Sequence, residues 1–362
     1  MKAQIRPTRS AQAGTQVPAS GTAFDWALAA LSGWFVGGIW LDAWAHHNVP
    51  ATLETPFTPW HGVLYTGFLA AAALLVGTAI RNRAMGSPWR RVMPAGYGLS
   101  LLGVLIFVAG GAGDTIWHLV FGIEVDLEAI LSPTHLILAL GGALIASGPL
   151  RAAWRRLPEG KQRETAGLPT LLSLALTVSV LTFFTEYASP FSLPWPARWF
   201  DASTLGAPEG ANSVAAMALG QMLGVASILL QTVLLVGAVI LLVRRWEPPL
   251  GAVTLVLTLE VGLAVLPHGY YLFVPGAVIT GVASDALLRL SKPGQRAGAL
   301  RIFAFGAPVM LFGLYFLALF LGGGIVWPIE LWAGSVALSG AAGLLLSYLA
   351  VPPATGRRPA EL

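Results

Sequence analysis

The chain has 362 residues, 56% of them hydrophobic and only 10% charged, with 13 Trp, 16 Phe and a net charge of +4. That balance excludes a soluble globular domain and specifies an all-α, polytopic transmembrane bundle. With no Cys in the chain, disulfides, thiolate metal sites and cysteine nucleophiles are excluded, so a bound metal must be held by nitrogen and oxygen.

Residues 1–23 are polar and contain Pro, Ser and Gly, and they are expected to be a disordered cytoplasmic segment. Apolar runs close to or above the roughly 20 residues needed to span a bilayer then fall at 24–45, 60–80, 94–119, 133–152 and 167–187. Five more follow at 214–243, 249–267, 270–288, 301–322 and 329–350. About ten spans are expected. Those within 24–152 form a four-helix metal-binding unit, and a cytoplasmic loop over 153–166 leads to a six-helix unit over 167–352 and a tail over 353–362. Pro267, Gly269 and Pro275 crowd the junction of the seventh and eighth runs, which fits either two helices or one re-entrant hairpin.

Ten spans place both termini on one side. In that arrangement 20 of the 21 Lys and Arg residues lie on the terminal side, leaving Arg198 alone opposite. This positive-inside asymmetry predicts cytoplasmic termini and a multi-pass protein of the plasma membrane. The net charge is thereby accounted for without a nucleic-acid partner. All six His (46, 47, 61, 118, 135 and 268) are then expected near the extracytoplasmic ends of spans.

The first four runs carry a duplicated motif. Asp42 and His46 close the first run, and Glu54, Thr58, Pro59 and His61 lead into the second. Asp114 and His118 close the third, and Glu128, Ser132, Pro133 and His135 lead into the fourth. The i, i+4 spacing of each Asp–His pair puts both side chains on one helix face, where they can reach a single ion. A carboxylate in the last turn of a helix opposes the dipole at a cost of about 0.3–1 kcal/mol, and a bound cation would remove that conflict. The hydroxyl-Pro pair signals an N-cap followed by N1, which fixes His61 and His135 two residues into the next helix. Asp42, His46, His61, Asp114, His118 and His135 are therefore the predicted metal ligands. Glu54 and Glu128 are candidate fourth ligands or outer partners of the ligands. His47 has Leu119 opposite it in the second copy and reads as a bystander.

Further along, Glu186 and Tyr187 end the fifth run and open a Pro- and Trp-rich segment at about 188–213. It reads as an interfacial aromatic belt or as a lid over an outer cavity. Glu260 precedes His268 by eight residues. Glu186 and His268 are further candidate ligands, at the same cavity or at a partial site of their own. Asp285 and Arg289, four apart, read as a snorkelling ion pair.

The paired strings Asp-x-x-x-His with Thr-Pro-Trp-His and Asp-x-x-x-His with Ser-Pro-Thr-His resemble the two metal-site motifs of the third subunit of the particulate methane and ammonia monooxygenases. The resemblance covers residues 30–145 approximately. It differs in having Asp114 where that family has Asn, and in longer gaps between the paired His. The resemblance implies copper at both trios, Asp42/His46/His61 and Asp114/His118/His135. It also implies oxidation of a small apolar substrate, either directly or as one component of a membrane complex or homo-oligomer.

The donor set itself suits Cu(II), Zn(II) or Fe(II). Two other functions use the same residues. One is a metal transporter or metal-handling protein, in which the pair loads an ion for passage. The other is a zinc-dependent lipid hydrolase at the outer leaflet, in which a metal-activated water attacks an ester or amide. No catalytic residue beyond the metal ligands is apparent.

Overall fold

A computed structural model describes residues 21–50, 58–122, 126–156, 164–200, 214–290 and 296–353. The expected disorder of most of 1–23, the role of Glu54 and the nature of the tail after 353 lie outside the described residues. The described chain is helical, with α1 (Thr22–Asn48), α2 (Pro59–Ala84), α3 (Gly98–Phe121), α4 (Asp126–Leu131), α5 (Pro133–Ala146) and α6 (Gly148–Arg156) in the first part. There follow α7 (Leu168–Phe183), α8 (Val214–Arg245), α9 (Ala252–Val265), α10 (Val274–Leu290), α11 (Arg296–Leu321) and α12 (Ile329–Ala350).

Among the described residues seven helices are long and apolar enough to cross a membrane: α1, α2, α3, α8, α10 with its preceding turn, α11 and α12. An eighth crossing is made if α5 and α6, bent by 43°, act as one broken span. The bend falls at Ser147-Gly148-Pro149, where a proline in the first turn of α6 cannot continue the ladder of α5. The fifth and seventh apolar runs form the shorter apolar helices α7 and α9, with 16 and 14 residues. This is the make-up of a multi-pass membrane protein.

Helix ends are set by local chemistry. Val49 is extended (φ −113°, ψ 137°) because Pro50 follows it, which ends α1 just past the histidines. Gly122 (φ +89°) ends α3 in a conformation other residues adopt at a cost. Pro59 and Pro133 stand at the first positions of α2 and α5.

Two antiparallel hairpins, α1–α2 and α3–α5, make up the first part, each closed by glycine. A Cβ on Gly38 would lie 2.5 Å from Leu64 Cα, and one on Gly67 would lie 2.7 Å from Phe35 Cα. In the second hairpin a Cβ on Gly103 would meet Gly141 O at 2.8 Å, and one on Gly141 would meet Phe107 N at 2.8 Å. Small residues that let backbones touch are how helices associate where lipid removes the hydrophobic drive.

Helix α7 ties the hairpins to the rest, packing on α1, α5 and α9. Trp40 Nε1 donates to Ser179 Oγ at 2.7 Å in its buried contact with α1. At the end rich in arginine, buried Asp25 of α1 accepts from Tyr97 and pairs with Arg156 of α6. Arg151 lies nearby, bonded to Leu144 O at 2.8 Å and Gly96 O at 3.2 Å.

In the second part, α9 and α10 pack against each other as two separate helices joined through a turn at Gly269. Asp285 forms no ion pair with Arg289 among the described residues. Its carboxylate accepts from Val253 N at 2.9 Å, Thr254 N at 3.0 Å and Thr254 Oγ1 at 2.6 Å. It therefore caps α9 from a neighbouring helix, because free first-turn amides are a stronger attraction for a buried carboxylate than an exposed guanidinium.

The described part of the Pro/Trp segment spans 188–200. It folds onto the α11–α12 connection, where Arg198 N donates to Gly324 O at 3.0 Å and Val326 N to Pro196 O at 2.8 Å. Phe191 is buried against Phe273, Phe312 and Tyr315.

Candidate metal centre

The six predicted ligands lie at one end of the helices, opposite the Asp25–Arg156 pair. In the α1–α2 hairpin, Asp42 faces both histidines. Its Oδ2 lies 3.6 Å from His46 Nε2 and its Oδ1 3.2 Å from His61 Nε2. One ligand atom from each residue can be chosen so that all three lie within 4.8 Å of one another. Asp42 Oδ1 is buried yet accepts no hydrogen bond. The three groups thus converge as ligands around an ion do, and a carboxylate oxygen shielded from water is left without a hydrogen bond at their meeting point.

In the second copy Ser132 caps α5 as expected, its Oγ accepting from His135 N at 3.4 Å, but the hydroxyl residue of the first copy has a different role. Thr58 occupies the N-cap position of α2, but its side chain caps no backbone amide. Thr58 Oγ1 instead lies 2.5 Å from His61 Nδ1. If Nδ1–H donates to that hydroxyl, Nε2 keeps the lone pair that faces Asp42. This is the usual way an outer partner fixes a metal-binding imidazole. Tyr65, one turn further along α2, stacks on His61 with ring centroids 5.8 Å apart. It lies within electrostatic reach of both Asp42 and Asp114, so the two trios share one region of the protein.

The second copy differs in a way that follows from one residue. Asp114 Oδ2 lies 3.3 Å from His118 Nε2, and Oδ1 lies 3.3 Å from His135. Here, however, the imidazole atom nearest the carboxylate is Nδ1, the nitrogen that is also 2.7 Å from Ser132 Oγ. Asp114 Oδ1 additionally accepts from Thr134 Oγ1 at 2.8 Å, whereas the matching position in the first copy is Trp60. His118 Nδ1 lies 3.1 Å from Gly122 O. The second carboxylate is thus satisfied internally, and this trio is absent from the groups of ligand atoms that converge among the described residues.

Replacing Thr134 with Val should therefore raise the second trio's affinity for Cu(II) several-fold, since a hydrogen bond worth about 0.5–1.5 kcal/mol no longer competes for Asp114. A chelator-competition titration comparing T134V with the natural chain measures it.

Glu128 is exposed on α4 and joins no converging group, so the structure does not bring it to the second trio. Glu186 and His268 do come together, His268 Nδ1 lying 3.7 Å from Glu186 Oε1. They meet around His47 and not around Asp42, which corrects the reading of His47 as a bystander. A groove of about 740 Å³ lined by α9 and α10 includes none of these ligands.

No family model, curated protein or solved structure matches this chain. Any functional reading therefore rests on the chain's own residues.

Proposed function

We propose that this chain is an integral membrane metalloprotein whose principal site is Asp42/His46/His61, with copper as its metal. The observation that carries the reading is the convergence of one carboxylate and two imidazoles on a buried, unbonded Asp42 oxygen. An O,N,N set without Cys suits Cu(II) above Zn(II) and Fe(II) in affinity order, and the resemblance of the duplicated motif to the third monooxygenase subunit favours the same metal.

In this reading the helices cross the bilayer about ten times, α7 and α9 included, and the basic end is cytoplasmic. The trios then face the extracytoplasmic side of the plasma membrane. Copper held by three protein ligands would keep open positions, which is what oxygen chemistry on a small apolar substrate requires. The protein's own share is to orient His61 through Thr58, to hold Asp42 against the α1 dipole, and to keep the second trio closed by Thr134. Partner subunits or further copies of this chain belong to the same proposal.

Elemental analysis of the detergent-purified chain tests it. About one tightly held copper per chain is expected, lost in the Asp42→Ala variant; zinc in place of copper would move the reading to lipid hydrolysis, and equal metal in both proteins would reject it.

Transport is the second reading, and one observation favours it. Glu260 of α9 is buried with Oε1 unbonded, its other oxygen accepting from Thr182, as an intramembrane ion or proton relay would require. Against it, Asp285, the carboxylate nearest the basic end of the same helix pair, is fully used as a cap.

A further inference from the structure

Beside the first trio lies a second convergence of ligand groups, drawn from three distant parts of the chain. His47 ends α1, Glu186 follows α7, and His268 lies in the turn after α9. One ligand atom from each lies within 4.8 Å of the others. The His47 and His268 rings lie 4.4 Å apart between centroids. Nearby, Asn48 Nδ2 donates to Pro267 O at 2.8 Å and to Trp44 O at 2.8 Å, holding the end of α1 against the α9–α10 turn.

Two of the three groups each have a buried ligand atom that makes no hydrogen bond. Glu186 is 6% exposed; it reaches Ser192, but Oε1 has no hydrogen bond. His268 Nδ1 is likewise buried and unbonded, and at 3.7 Å from Glu186 Oε1 the pair is too far apart for a hydrogen bond. Leaving a carboxylate oxygen and an imidazole nitrogen both unsatisfied and facing each other costs about 1–3 kcal/mol per group. A cation between them would satisfy both.

His47 is set up to complete the site. Its Nδ1 lies 2.8 Å from Ala43 O, an acceptor only, so Nδ1 carries the proton and Nε2 keeps its lone pair.

We propose that His47, Glu186 and His268 form a site for a divalent transition-metal ion, separate from the Asp42 trio. Two imidazoles and a glutamate are the three-ligand set of open zinc sites, so zinc is its expected occupant. Because His46 and His47 are adjacent on α1 but belong to different groups, the last turn of that helix supplies ligands to both. This places two metal sites next to each other across α1. The site draws only on its own three residues and stands whether or not the Asp42 trio binds copper.

The test is a Co(II) titration of the full-length chain in detergent, followed by visible absorption and by zinc displacement. It compares His61→Ala, which disables the first trio, with the double variants H61A/E186Q and H61A/H268A. The H61A chain is expected to take up about one more equivalent than either double variant, with zinc displacing that cobalt. Equal uptake and affinity in all three chains would overturn the proposal. If loss of Glu186 or His268 prevents folding, His47→Gln at the exposed end of α1 decides the matter. It should weaken the site at least about 100-fold, and an unchanged titration again overturns it.

Discussion

Asp42→Ala is expected to lower copper affinity at the first trio by at least about 100-fold, beyond the 10–100-fold typical of losing a residue that only supports a ligand. The reason is the position of the carboxylate: it alone lies within 3.6 Å of both imidazoles, at 3.6 Å from His46 and 3.2 Å from His61. Without it, two imidazoles remain at the junction of two helices with no carboxylate to hold a dication. Thr58→Val, which keeps shape and removes only the hydroxyl beside His61 Nδ1, should fall within the 10–100-fold range. A competition titration against a chelator of known affinity measures both. Equal losses in the two variants would mean that the hydroxyl is itself a ligand.

A single methyl group that touches no ligand should also weaken the site. Gly38 stands one turn before Asp42 on the same face of α1, and a Cβ there would lie 2.5 Å from Leu64 Cα and 2.7 Å from Leu64 N. Backbone cannot give way as a flexible side chain can, so Gly38→Ala must move α1 and α2 apart. Overpacking of this kind costs about 1–3 kcal/mol. Because His61 precedes Leu64 by three residues, the displacement acts directly on the distance between Asp42 and His61.

Copper affinity of G38A should drop about tenfold or more with every ligand still present, while the second trio, in a different hairpin, is unaffected. Gly37→Ala is the control, since nothing lies within 4 Å of its Cβ position. Thermal unfolding and copper titration of the two variants read the difference. If G37A and G38A bind alike, the hairpin contact does not set the geometry of the site.

The duplicated motif is legible in sequence because its geometry is local. An Asp and a His four apart share a helix face, a proline two residues before the next His marks where the following helix begins, and the hairpin does the rest. The structure brings His46 and His61 to Asp42, and His118 and His135 to Asp114, as that spacing requires. Comparing the two copies residue by residue does not weigh Trp60 against Thr134. The consequence of that difference runs through a hydrogen bond from α5 to Asp114 on α3, which no spacing encodes.

The place of His47 is hidden for a related reason. Its partners, Glu186 and His268, lie 139 and 221 residues away in the chain, and only the packing of α1, α7 and α9 joins them. The gathering of all six His at one end is the signal that sequence does offer. The bend between α5 and α6 has a local cue, Gly148-Pro149, which an apolar run continuing to 152 obscures. Asp285 and Arg289 show the opposite error. Their helical spacing permits a pair, but Asp285 is buried against the first turn of α9 and bonds there.

The most direct measurement of the central claim is an anomalous-difference map at the copper edge, from crystals of the full chain prepared with Cu(II). The account predicts a peak among Asp42, His46 Nε2 and His61 Nε2, within about 2.0–2.2 Å of each ligand atom, and a weaker peak or none at Asp114. A map with no density at the Asp42 trio, or with its three side chains turned away from one another, would contradict it.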